Sequence, residues 1–228
     1  MSAAAEVARL RAIVWKDLTL ERRTKANFNA VVFLAGLMLL LFGFALGPDA
    51  GALRQAAAGV LWLTIVFSGT LAFNRSYQVE LEDGALDALL AHPGSRRTVF
   101  LGKFTANLLF VLLVEAVLVP AAAVLYDIRI GAAFGGLVLA LALGTFGFVA
   151  LGTFYAAMAS RMRAREVLLP LLLFPMLVPL LVGAVEVTDG FLNPGPFVST
   201  DRWLIMMAAF DLVFFLAAFA AFEYVIED

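Results

Sequence analysis

Residues 75–103 read RSYQVELEDGALDALLAHPGSRRTVFLGK, the longest charged interruption in a chain that is otherwise mostly apolar. Acidic side chains come first in this stretch and a basic cluster follows. The acidic residues are Glu80, Glu82, Asp83 and Asp87, and the basic residues are Arg96, Arg97 and Lys103. The apolar segments on either side have to be placed around this charged stretch, so it determines how the chain is arranged.

The composition predicts a helical membrane protein. Of 228 residues, 63% are hydrophobic and 15% are charged, whereas soluble domains carry about 45–50% apolar and about 25% charged residues. The excess forms runs that are long enough to cross a bilayer, which takes roughly 20 apolar residues per helix. We therefore predict an all-α polytopic membrane protein with six transmembrane helices and an N-terminal interfacial helix.

The predicted layout is a single transmembrane domain over residues 1–228. It begins with a cytoplasmic or interfacial helix in 1–27, spans one and two in 28–73 and a cytoplasmic segment in 74–103. Spans three and four follow in 104–160. The range 161–228 contains a cytoplasmic loop, spans five and six, a far-side loop and the tail. Within 5–25, apolar residues recur at helical spacing and charged residues fill another face, as in helices that lie on a membrane. A charged tail that only sets the orientation is the alternative.

The individual spans are predicted at about 28–47, 55–73, 104–126, 130–160, 167–185 and 203–222. Small residues in the fourth span, 130–160, would let a neighbouring helix approach closely. They are Gly131, Gly135, Gly136, Gly144, Gly147 and Gly152. The fifth contains three prolines, which predict a kink, and the sequence from residue 186 to 203 is expected to form an irregular loop.

The distribution of basic residues predicts the orientation. Cytoplasmic connections of membrane proteins carry an excess of Lys and Arg. The N-terminal segment, the connection after span two and the connection after span four together hold thirteen Lys/Arg residues, and the other connections hold Arg54, Arg129 and Arg202. Both termini and the segment 74–103 are therefore expected in the cytoplasm.

Part of the charged stretch is expected to form a short helix. Leu86, Leu89 and Leu90 lie close together on one helical face, Asp83 is placed to act as its N-cap, and Pro93 ends it. Ser95 is in position to cap the helix that follows. A solvated connector that only maintains the orientation is the alternative.

Three segments together resemble a known family. WKDLTLERRTK at 15–25, FNRSYQVELEDGALDALLAHPGSRRTVFLGK at 73–103 and FEYVIED at 222–228 are similar to the haem exporter protein B family of cytochrome c maturation. The order of the segments, with an acidic cytoplasmic helix between spans two and three, is typical of ABC-2 type ABC-transporter permeases. The resemblance covers essentially the whole chain.

The resemblance implies a bacterial inner-membrane subunit that dimerises and works with a separate ABC ATPase, which binds the ATP. It also implies a haem-handling membrane subunit and a small accessory membrane subunit as partners, with haem as substrate rather than as a tightly bound cofactor, and no nucleic acid. The expected interface with the ATPase consists of Glu80, Glu82, Asp83, Gly84, Leu86 and Asp87. The alternatives are an ABC-2 permease for another substrate, such as a lipid-linked sugar or a drug, and a membrane scaffold without transport.

The sequence lacks the motifs of an enzyme. It has no GxxxxGK[ST] loop to hold phosphates, so we expect no ATP hydrolysis by this chain. It contains no cluster that predicts a metal site, and His92 is its single histidine. Because a lone histidine before Pro93 is more typical of a loop end, we do not assign it to haem.

Two further sets of residues are functional candidates. Glu115 and Asp211 lie deep in predicted spans, where a charge costs about 2.5–3.5 kcal/mol or more. They are expected either to line a polar path or to make interhelical hydrogen bonds. By resemblance to ABC-2 permeases, Glu186, Asp189, Pro194 and Pro196 are expected to border a gate at the far-side loop, and an ordinary turn is the alternative.

Overall fold

The computed structural model describes residues 3–82, 95–128, 130–131, 134–160, 162, 165–194 and 200–225. Within these ranges the chain is helical and contains no β-strand. The helices are α1 (Ala3–Thr24), α2 (Ala26–Leu46), α3 (Ala50–Glu82), α4 (Arg96–Leu125), α5 (Phe134–Ser160), α6 (Arg165–Leu192) and α7 (Thr200–Val225). Six of them, α2 to α7, are long and apolar enough to cross a membrane. The predicted fold class is confirmed.

A single residue separates the interfacial helix from the first span. Lys25 adopts a left-handed conformation with φ of 52°, which ends α1 before α2 starts at Ala26. The Glu21 carboxylate accepts a hydrogen bond of 2.7 Å from the backbone N–H of Phe28. This bond satisfies one of the N–H groups that a helix start leaves without an intrahelical acceptor, and it holds α1 against the start of α2.

The charged stretch is divided between two helices. α3 is 33 residues long and runs to Glu82, well beyond the predicted end of the span at residue 73. Glu80 and Glu82, which the sequence assigns to the cytoplasmic segment 74–103, therefore belong to the end of α3. The remaining predicted residues, 83–94, lie outside the described part of the chain.

The start of α4 agrees with the sequence. Ser95 adopts an extended conformation, and its side chain accepts a hydrogen bond of 3.2 Å from the N–H of Arg97. This is the geometry of an N-cap. The predicted cap is confirmed.

The predicted irregular loop after span five was wrong in its first part, because α6 continues through residues 186–192. All three prolines of α6 lie earlier, at 170, 175 and 179. In the later turns Val187 and Thr188 are fully buried, and the Trp62 indole N–H donates a 2.9 Å hydrogen bond to the Thr188 hydroxyl. Such packing outweighs the cost of one glycine in a helix, which is about 1 kcal/mol.

α5 lies at the centre of the bundle, packed against α3, α4, α6 and α7. Four of its glycines make this packing close. A Cβ on Gly144 would lie 2.2 Å from the Trp62 ring, and one on Gly152 would lie 2.1 Å from the ring of Phe73. Gly136 and Gly147 are equally tight against α6 and α7, whereas Gly131 and Gly135 have no described atom within 4 Å of a Cβ.

Candidate coupling site at the basic end of the bundle

Four helix segments meet at one end of the bundle. They are α1, the last turns of α3, the first turns of α4 and the last turns of α7. We call this the basic end, because most of the chain's Lys and Arg residues lie in the segments predicted on this side. At the other end, the start of α3 is joined to the residues after α4 by a contact between Arg54 and Asp127.

A buried lysine connects three helices at the basic end. Lys103 of α4 is only 1% exposed, and its Nζ lies 3.0 Å from Oδ2 of Asp17 in α1. The same ammonium donates a 3.1 Å hydrogen bond to the backbone carbonyl of Ser76 in α3 and lies 5.2 Å from the centre of the Tyr77 ring. These four residues form the Lys103 cluster. A buried charge is tolerated only when it is paired and hydrogen-bonded, and both conditions are met here.

A glycine beside the lysine lets α1 come close enough for this pairing. A Cβ on Gly102 would lie 2.8 Å from Cγ2 of Ile13, and Ile13 is itself buried at 4% exposure. The Gly102–Lys103 pair therefore acts in two ways. The glycine admits the apolar face of α1, and the lysine fixes it electrostatically.

The first turn of α4 makes a second set of contacts with α1. The Glu6 carboxylate accepts a 3.2 Å hydrogen bond from the N–H of Ser95 and another from the hydroxyl of Thr98. The bond from Thr98, followed by that from Ser95, lowers the pKa of Glu6 below its ordinary value. Both bonds favour the ionised form of the carboxyl group.

The end of α7 is fastened to the same turn of α4. The Arg97 guanidinium lies 3.1 Å from the Glu223 carboxylate and 5.5 Å from the centre of the Phe219 ring. Arg96 donates a 3.2 Å hydrogen bond to the backbone carbonyl of Glu223. The first two turns of α4 are thus in contact with α1, α3 and α7.

These contacts determine how the helices beside residues 83–94 are held. α3 leads into that segment and α4 follows it, and α1 is bonded to both through the Lys103 cluster. Of the predicted ATPase interface, Glu80 and Glu82 lie in the last turn of α3. Asp83, Gly84, Leu86 and Asp87 lie outside the described residues. The structure thus shows how the helices on either side of the predicted interface are held, whereas most of the interface residues lie outside the described part of the chain.

The two deep acids lie on different sides of α5. Glu115 of α4 is 4% exposed and accepts a hydrogen bond from the Thr145 hydroxyl. Asp211 of α7 is 5% exposed and lies against Gly147, where a Cβ would be 2.1 Å from its Oδ1. Among the residues that the structure describes, the Asp211 carboxylate has no hydrogen-bond partner.

The relative positions of Glu115 and Asp211 follow from the residues of α5 that they contact, Thr145 and Gly147. Thr145 and Gly147 are two residues apart, so they point in directions about 200° apart and differ by only about 3 Å along the helix. Glu115 and Asp211 therefore lie at nearly the same level of the bundle, with α5 between them. The structure does not bring the two carboxyl groups together.

The described residues of the predicted gate lie at the other end of the bundle. Glu186 and Asp189 are in the last turns of α6, and Asp189 accepts a 2.8 Å hydrogen bond from the Asn193 side chain. Pro194 is exposed, and Pro196 lies outside the described residues. The expectation that Glu186 and Asp189 border an irregular loop is corrected, because both are helical.

Sequence reasoning missed the most heavily connected residue of the site. Lys103 was assigned to the basic cluster of a connection because it lies at the edge of an apolar run. One signal pointed to burial: apolar residues and a glycine surround Lys103 in VFLGKFTANLLF. The partner carboxylate is 86 positions away in sequence, in α1, and no local pattern joins the two.

The fold and the basic end define a class of protein, a multi-pass helical membrane protein whose N-terminal helix is paired with a buried lysine of α4 that also binds α3 across a charged connection. Residues 8–226 match the family described as CcmB protein, and the chain belongs to this family.

Several curated relatives are named Heme exporter protein B. The relative from Paracoccus denitrificans is 32% identical over 214 residues, which cover 93% of this chain and 96% of that protein. The relative from Rhodobacter capsulatus is 32% identical over 177 residues, with 78% and 81% covered. The relative from Haemophilus influenzae is 29% identical over 178 residues, with 78% and 80% covered.

Removing the Lys103 ammonium is expected to destabilise the protein. Lys103→Met keeps most of the side-chain volume but leaves Asp17 without its buried partner, and breaking a buried ion pair costs about 3–5 kcal/mol. Thermal or denaturant unfolding in detergent measures the change. Lys16→Met is the matched control, because Lys16 also contacts Asp17, at 3.1 Å, but is 40% exposed; its cost should stay below about 1 kcal/mol. Equal losses in the two variants would contradict a special role for Lys103.

The docking of α1 is expected to weaken in acid. Because folding lowers the pKa of Glu6, its contribution to docking is present above the carboxyl group's ordinary pKa of about 4.3 and disappears as the pH falls through the lowered value. Fluorescence of Trp15, which is 70% exposed on α1, can follow docking between pH 7 and pH 3.

The control for this acid effect removes its main cause. In Thr98→Val the pKa of Glu6 should return towards its ordinary value, so the transition should move to higher pH. An acid transition at the same pH in the wild type and in Thr98→Val would show that Glu6 is not the group responsible.

Proposed function

We propose that this chain is the membrane subunit of an ABC-type complex that exports haem, or delivers it to the periplasm, for c-type cytochrome biogenesis. The observation that carries the proposal is the family match over residues 8–226, with relatives named Heme exporter protein B over nearly their full length. The six apolar helices agree with a multi-pass membrane subunit. A permease for a lipid-linked sugar or a drug has no comparable support.

The energy comes from a separate ABC ATPase in this proposal. The sequence has no phosphate-binding loop, and the chain acts as a mechanical element rather than as an enzyme. The ATPase binds the segment that includes Glu80, Glu82, Asp83, Gly84, Leu86 and Asp87. Because the Lys103 cluster bonds α1 to both α3 and α4, a force on this segment is transmitted to three helices together.

The orientation follows from the basic end. Positive charge favours the cytoplasmic side, and thirteen of the sixteen Lys/Arg residues lie in the segments predicted there. We place the basic end and both termini in the bacterial cytoplasm and the chain in the inner membrane. This orientation presents residues 80–90 to a soluble ATPase.

The complex contains two copies of this chain, together with a haem-handling membrane subunit and a small accessory membrane subunit. Haem is the cargo and not a resident cofactor. Each copy contains one histidine, His92, so a single copy cannot supply a pair of imidazole ligands. Movement of the bundle either opens a path between two protomers or releases a haem-loaded protein from the haem-handling subunit, and in both cases the same coupled helices move.

The deep acids have separate roles in this proposal. Glu115 is held by Thr145 and supports the contact between α4 and α5. Asp211, which has no partner among the described residues, is the better candidate for a group that changes its contacts when the bundle moves. Glu186 and Asp189 lie in the last turns of α6, shortly before Pro194 and Pro196 in the sequence, and we place the gate there.

Charge reversal at the ATPase interface should abolish coupling. Asp83→Arg and Asp87→Arg reverse the charge of the proposed interface, and we expect co-purification of the ATPase and stimulation of its ATP turnover to fall at least roughly tenfold. Asp49→Arg, at the other end of the bundle, is the matched control and should leave both unchanged. Undiminished complex formation in both interface variants would refute the proposed contact.

Neutral substitutions can separate the roles of the two acids. Asp211→Asn should reduce cytochrome c assembly in cells that depend on this chain, because the amide cannot take the ionised state. Glu115→Gln should retain assembly, because its amide oxygen still accepts the hydrogen bond from Thr145. The abundance of both variants in the membrane has to be measured alongside. Normal assembly with Asp211→Asn would remove Asp211 from the mechanism.

A further inference from the structure

A cleft of about 200 Å³ opens at the basic end between α1, the start of α2, the end of α3 and α4. Its more accessible part includes Glu21 and Arg75, and its buried part includes Asn107 and Phe110. Leu20 adds an apolar wall. The cleft therefore combines charged groups near its mouth with apolar and amide groups further inside.

Three polar groups that line this cleft have no complementary group beside them among the described residues. Among the described residues, the Arg75 guanidinium has no ion pair, and the Glu21 carboxylate accepts only the Phe28 N–H and has no cation beside it. The side-chain oxygen of Asn27 is buried without a hydrogen bond. A buried acceptor without a partner costs about 1–3 kcal/mol. Asp17, which also lines the cleft, is already paired with Lys103 and Lys16.

The cleft lies at the level of lipid head groups. Asn27 is in the first turn of α2, the first helix that is long and apolar enough to cross the membrane. Glu21 is in the helix immediately before it, and Trp15 of the same helix is exposed, as expected for an aromatic ring at a membrane surface. A molecule that occupies the cleft is therefore in contact with the edge of the bilayer.

We propose that this cleft binds a phospholipid whose head group carries a primary amine. Its phosphate pairs with Arg75, and its ammonium donates hydrogen bonds to Glu21 and to the Asn27 side-chain oxygen. Such a head group satisfies one unpaired cation, one unpaired anion and one buried acceptor at once. Leu20 and Phe110 then contact the apolar part of the lipid.

The size and charge of the cleft argue against other ligands. Pockets for drug-sized ligands have about 300–1,000 Å³, so a cleft of about 200 Å³ holds a head group but not a macrocycle such as haem. A head group that lacks N–H donors leaves the Asn27 oxygen unsatisfied. An anionic head group without an ammonium leaves Glu21 unpaired. This site does not depend on the proposed haem export.

The test compares lipids that differ only in the head group. The purified, delipidated full chain is titrated with phosphatidylethanolamine and with phosphatidylcholine of the same acyl chains, and bound lipid is counted by native mass spectrometry. Because phosphatidylcholine has no N–H donors, we expect phosphatidylethanolamine to bind at least roughly tenfold more tightly. Equal affinities would mean that only a non-specific lipid annulus is present and would overturn the proposal.

Variants assign the binding to the cleft. Arg75→Gln and Glu21→Gln should each remove the preference for phosphatidylethanolamine, whereas Arg22→Gln, an exposed change on α1 outside the cleft, should keep it. Thermal unfolding confirms that each variant is folded. An unchanged preference in Arg75→Gln, or equally tight binding of phosphatidylglycerol to the wild type, would also overturn the proposal.

Discussion

The ion pair between Lys103 and Asp17 is the interaction on which the arrangement of the basic end depends. A lysine that is 1% exposed requires an anion and further hydrogen-bond acceptors. The carboxylate comes from α1, the carbonyl from Ser76 of α3, and the lysine itself from α4. One buried cation thus adds a charged contact to the hydrogen bonds and the apolar packing that hold α1 against α2 and α4. The result is a unit of three helices around the charged connection.

Most of the fold could be predicted from the sequence, because crossing a bilayer imposes length and hydropathy on each span. The errors came where tertiary contacts override local patterns. Glu186 was expected in a loop because glycine and proline residues follow it, yet the burial of Val187 and Thr188 keeps that part of α6 helical. The sequence assigns Lys103 to the basic cluster that ends the cytoplasmic segment, and its partner Asp17 in α1 is distant in sequence. Local sequence carries no information about such a pair.

The helices at the centre of the bundle are held together mainly by close packing at small residues. In a membrane the hydrophobic effect does not drive helices together, so such packing has to do so. Gly144 receives the Trp62 ring, and Trp62 in turn donates to Thr188 of α6. The same region contains Thr145 with Glu115 and Gly147 with Asp211. The polar groups are thus concentrated where glycines bring helices nearest. The sequence predicted four of the close glycine contacts correctly, but not which side chain each glycine receives.

The lipid cleft and the Lys103 cluster share two residues, since Asp17 and Ser76 line the cleft and also contact Lys103. A head group in the cleft therefore lies directly beside the contacts that hold α1 to α3 and α4. A ligand can bind this arrangement more tightly than an arrangement in which α1 has moved away. Such a ligand shifts the equilibrium towards the first arrangement, by as much free energy as the two binding free energies differ. In the two proposals together, the composition of the membrane therefore acts on the same three helices as a force that the ATPase applies to residues 80–90. Asp17 links the two proposed sites, because it lines the cleft and also pairs with Lys103.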